Sequence, residues 1–139
     1  MREILFRGKR VSDGEWVEGF YIRADHHWHN RGIHKDWIAL GASANGGWFA
    51  LHKKYAVQNE TIGQFTGLVD KNGTKIFEGD ILDVMYQGIY ECRWDEGNFE
   101  FGLSNGNESF GIAFVSPNDI FVIGNIHDNP ELIGGGEDA

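Results

Sequence analysis

A chain of 139 residues, 41% hydrophobic and 14% aromatic, carries enough large apolar side chains to pack one modest core or two small ones, which excludes disorder outside the ends. Twenty Gly against two Pro point to many turns between short strands, because interior Gly costs a helix about 1 kcal/mol per site. The net charge of −9 is uneven: residues 1–59 hold nine Lys/Arg and six Asp/Glu, net +3, while residues 60–139 hold three and fifteen, net −12, which makes the second half a poor binder of phosphate backbones.

In chain order, Ile4 to Arg7 predicts a first strand, Ser12-Asp13-Gly14 a turn, and Glu15 to Arg23 a second strand with Trp16, Phe20 and Ile22 on one side. The two form an antiparallel hairpin. From Ala24 to Gly47 the pattern is lost, which predicts a long irregular excursion with one short apolar run, Trp37-Ile38-Ala39-Leu40. A boundary falls near Gln58-Asn59. It divides an N-terminal β lobe, 1–58, from a second lobe, 59–133.

The second lobe is a meander of apolar runs: Ile62 to Leu68, Lys75 to Phe77, Asp80 to Tyr86, Ile89 to Trp94, Phe99 to Leu103, Phe110 to Val115 and Ile120 to Ile126. Asp70-Lys71-Asn72-Gly73 marks the clearest hairpin turn, its Asn-Gly pair suited to positive φ. Strands this short curl into a small barrel that removes their edges, so the expected fold is mainly β, with an SH3-like barrel after the N-terminal hairpin lobe. Gly63 and Gly124, each beside Ile and a carboxamide, are expected to neighbour each other where the barrel closes. Asn129-Pro130-Glu131 predicts a single helical turn over Pro130 to Ile133, and 134–139 a disordered tail.

Met1-Arg2-Glu3-Ile4-Leu5-Phe6-Arg7, Glu60-Thr61-Ile62-Gly63-Gln64-Phe65-Thr66-Gly67-Leu68 with Asp70-Lys71-Asn72-Gly73, Ile76-Phe77-Glu78-Gly79-Asp80-Ile81, and Val122-Ile123-Gly124-Asn125-Ile126 with Asn129-Pro130-Glu131-Leu132 together resemble the YopX family. The match runs in order along nearly the whole chain. The resemblance implies a small protein of bacteriophage or prophage origin, SH3-like in fold and often oligomeric. It brings no catalytic residue with it.

His26, His27 and His29, with Asp25 and His34, could ligate a transition metal if locally extended, but nothing in the sequence completes the set. No metal or cofactor is therefore assigned. Glu78-Gly79-Asp80 and Asp95-Glu96 fall at turns, where Asp80 is expected to bond the backbone at the start of its strand. Ser12, Ser43, Ser104, Ser109 and Ser116 lack a nucleophile-elbow pattern, and Gly41 to Gly47 lacks the Lys of a phosphate loop. Cys92 is read as a small strand side chain. Aromatics at Trp16, Phe20, Tyr21, Trp28 and Trp37 beside Arg2, Arg7, Lys9, Arg10, Arg23 and Arg31 make the case for nucleic acid, although most of these rings are core candidates.

The sequence thus predicts a non-enzymatic accessory protein, cytoplasmic, with no membrane span. It is expected to self-associate and to bind a host or phage protein. Binding of nucleic acid through the basic lobe, and imitation of DNA by the acidic one, are the alternatives.

Overall fold

The computed structural model describes residues 4–27, 33–39 and 56–133, the first segments of the β2–β3 hairpin end, 24–27 and 33–35, by backbone alone. The chain is mainly β, in two antiparallel five-stranded sheets, with only short 3-10 turns besides strands among the described residues. It divides into two compact units, Met1–Gln64 and Phe65–Ala139.

In the first unit, β1 (Phe6–Lys9) pairs with β2 (Trp16–His27) in the register Phe6 to Gly19 and Lys9 to Trp16, the expected hairpin shifted two residues along β1. β2 does not stop at Arg23. It continues through a register shift to His27 and pairs with β3 (Ile33–Ala39), so part of the expected irregular excursion is a hairpin. The rest of it, 28–32 and 40–47, lies outside the described residues.

Gly19 permits this pairing, since a Cβ there would lie 2.0 Å from the Ala39 carbonyl oxygen. Phe20, expected beside Trp16 and Ile22, is 51% exposed. Trp37, Ile38, Ala56 and Val57 are buried. The division between units falls after Gln64 because 59–64 bond back to β1: the Thr61 hydroxyl accepts from Lys9 N at 2.9 Å, and Gly63 and Gln64 pair with Arg7 and Phe6.

In the second unit, β4 (Gly63–Val69) pairs with β5 (Lys75–Phe77) from Phe65 onward. The intervening turn uses Gly73 alone at positive φ, 84°, while Asn72 keeps an ordinary backbone. Asp70 is the reason: its carboxylate accepts from Asn72 N at 2.8 Å and Thr74 N at 2.9 Å, closing the turn through a side chain. The second sheet has the order β10-β6-β7-β8-β9, from β10 (Ile120–Asn125), β6 (Asp80–Val84), β7 (Gly88–Asp95), β8 (Glu100–Ser104) and β9 (Ser109–Gly111).

These strands follow the predicted runs closely. The exception is Phe110 to Val115, whose strand ends at Gly111 and gives way to a 3-10 turn, Ile112–Phe114, that turns Ile112 inward and leaves Phe114 83% exposed. The core unites Ile76, Leu82, Val84, Tyr90, Cys92, Leu103, Ile112, Val115 and Ile120. Burying side chains of this kind contributes roughly 1.5–3 kcal/mol each.

Among the described residues neither sheet closes on itself. In place of a closing ladder, two bonds tie the β4–β5 turn to β10, from Lys71 N to the Ile120 carbonyl at 3.1 Å and from Val122 N to the Asp70 carboxylate at 2.9 Å. Gly63 and Gly124 are not strand neighbours: Gly63 pairs with Arg7, Gly124 with Ile81. Gly124 instead serves its own turn, where a Cβ would lie 2.6 Å from Asn129 Oδ1. Pro130–Ile133 forms the predicted turn as a 3-10 helix; the tail, 134–139, lies outside the described residues.

Candidate functional site

The groups singled out from sequence resolve mostly into structural roles. His26 stands opposite His34 in the β2–β3 register, and His29 lies outside the described residues. Asp36 is buried and binds three donors, Tyr21 Oη at 2.5 Å, Arg23 Nη1 at 3.1 Å and Asn59 Nδ2 at 3.3 Å, which pins β2, β3 and the turn at Asn59 together. Burial and the Asp36 carboxylate raise the Tyr21 pKa above its ordinary 10.0.

The Trp16 ring is already engaged by the chain's own cations, with the Arg7 guanidinium 4.7 Å and the Lys9 ammonium 5.7 Å from the ring centre. That uses the ring and two of the cations on which a nucleic-acid surface would draw. Asp80 accepts from Phe77 N at 2.7 Å in a buried turn, as expected. Asp95 accepts from Gly97 N and Asn98 N, and the Asn98 side chain, above all, holds its pKa below the usual 3.8.

Two features of the second unit were not anticipated. The first is a set of bare aromatic side chains. Tyr86 is 100% exposed at the β6–β7 turn and Phe99 77% exposed at the β7–β8 turn, and both have positive φ, 65° and 53°. These are the only non-glycine residues with positive φ among the described residues. A left-handed backbone costs a bulky residue about 1–2 kcal/mol, and in neither case does burial of the ring offset it.

The second is a trough of about 360 Å³ over β7, β8 and β9. Its floor is glycine, because Gly102 on β8 pairs with Gly111 on β9, and Arg93 on β7 lies opposite Gly102. The Glu100 carboxylate lies across Gly111, at 2.5 Å from where a Cβ would stand. Asp95, Glu96, Gly97 and Asn98 wall one end. The opposite face of the same strands is apolar, with Tyr90 against Phe110 and Trp94 against Phe101, ring centres 5.1 Å apart in each pair. In the sequence these positions carried only turn and strand signals; the pairing of two glycines across strands has no local signature.

The sequence model of the YopX protein family matches residues 5–134. The chain belongs to the YopX family. Among solved structures, a YopX chain of this kind is similar to the crystal structure of protein EF1440 from Enterococcus faecalis, at 27% identity and a TM-score of 0.55, over 96% of this chain and 99% of that one. No curated protein matches the chain. Among the described residues no helix is long and apolar enough to cross a membrane.

Proposed function

We propose that the protein is a non-enzymatic phage or prophage accessory protein, a self-associating module that also binds another protein, acting in the cytoplasm of a bacterial host. The observation that carries this reading is the display of Tyr86 and Phe99 on left-handed turns, fully and three-quarters exposed. Backbone strain at solvent-facing aromatics supports contacts that the isolated chain lacks. The charge division supports contact between copies, because the net +3 of residues 1–59 and the net −12 of residues 60–139 favour head-to-tail approach. Within this reading the second unit is an opened relative of the SH3-like barrel, with the β4–β5 turn tied to β10 where a closed barrel would have a ladder. Tying down Asp70, Asp80 and Asp95 by backbone N–H groups gives those carboxylates structural work.

Native mass spectrometry of the purified protein tests the self-association. A discrete homo-oligomer that Tyr86→Ser together with Phe99→Ser shifts to monomer is expected. A monomer at every concentration would overturn this reading.

A further inference from the structure

The trough on the second sheet lies beside an open strand edge. β9 pairs with β8 on one side only, and no described residue bonds its other side. Asn105 N donates to the Glu108 carbonyl at 3.2 Å, and by the alternation of an antiparallel ladder this turns the main-chain groups of Ser109 away from β8. An extended segment laid along this edge would therefore find a donor and an acceptor waiting, as in other cases of strand addition.

The side chains of such a segment would meet two different surfaces. Those on the outer face lie towards Gly102, the Glu100 carboxylate that covers Gly111 and the exposed Glu96, with Arg93 the one cation among the described residues that line the trough. Those on the other face meet Phe110 and the exposed Phe114. Gly102 leaves room for a long side chain above it, the Glu100 carboxylate covers Gly111, and the carboxylates select cations.

We infer that the β9 edge and its glycine-floored trough bind an extended peptide segment in which Lys or Arg alternates with apolar residues. This rests on the interaction-module reading and gives the bound partner a chemical class. The segment pairs its main chain with Ser109, sets its cations over Gly102 against Glu96 and the Glu100 carboxylate that covers Gly111, and lays its apolar side chains by Phe110 and Phe114.

Fluorescence anisotropy with a dye-labelled peptide of alternating lysine and valine tests this, with an alternating glutamate and valine peptide as control. The full chain should bind the lysine peptide saturably and the control at least about tenfold more weakly. Glu96→Lys with Glu100→Lys should weaken binding by a similar factor. Ser109→Pro, which removes an N–H that β8 does not use, should weaken it independently.

Absence of lysine-peptide binding, equal binding of the control, or unchanged affinity in both variants would overturn the inference. Native mass spectra of the same samples separate the two proposals. An oligomer that ignores the peptide overturns the trough alone, a monomer that binds it overturns self-association alone, and a monomer that does not bind overturns both. Loss of the oligomer in the Glu96 and Glu100 variant without peptide binding would assign the trough to a second copy and overturn the peptide.

Discussion

Tyr86 and Phe99 occupy backbone positions that glycine fills without penalty. Because the Tyr86 ring is fully exposed, its removal forfeits no packing. Tyr86→Gly is therefore expected to raise stability by about 1 kcal/mol in chemical denaturation, the relief of the left-handed penalty less the extra unfolded-state entropy of Gly. A loss of stability would show that the ring packs in solution.

Asp70 is the opposite case, a residue that the fold uses fully. Burial alone would raise its pKa, but N–H groups from Val122, Thr74, Asn72 and Gly73 together outweigh that and hold it below the ordinary 3.8. A carboxylate depressed in the folded state contributes stability that is fully present above its unfolded pKa and is lost as pH falls through the folded one. Acid unfolding of the wild type should thus deepen below about pH 4, and Asp70→Ala, which leaves those donors unmet, should cost about 2 kcal/mol at neutral pH and flatten that acid limb.

At the scale of elements, periodicity of two located the strands of the second unit because each presents one face to a core that contains Tyr90, Cys92 and Leu103. It did not locate the end of β2. Residues 24–27 read as polar loop, and the strand runs through them because β3 pairs with His26 and His27 beyond a register shift. That pairing depends on close backbone approach at Gly19, which local sequence does not advertise. Gly19→Ala would drive a Cβ into the Ala39 carbonyl, so it should lower stability by about 2 kcal/mol or more and speed hydrogen exchange first at the amides of β2 and β3. Uniform acceleration across the chain would argue against so local an effect.

For the whole molecule, charge is the property that extends beyond any element. The +3 and −12 halves attract between copies over distances that salt screens, about 10 Å at 0.1 M and about 3 Å at 1 M. The proposed oligomer should accordingly weaken as salt rises in sedimentation measurements. Insensitivity to salt would transfer its stabilisation to the apolar contacts of Tyr86 and Phe99.

Sequence by itself determined the family, the β class, nearly all strands of the second unit, the turns at Asp70, Asp80 and Pro130, and the strand position of Cys92, because each is written in residues close together in the chain. Only the tertiary structure decided that the second sheet stays open, that Gly124 serves Asn129 instead of Gly63, and that Gly102 and Gly111 lie side by side beneath Glu100. Those outcomes depend on strand register and on contacts between distant residues. A register one residue different would turn every side chain of a strand to its other face with no change in the pattern from which the strand was read.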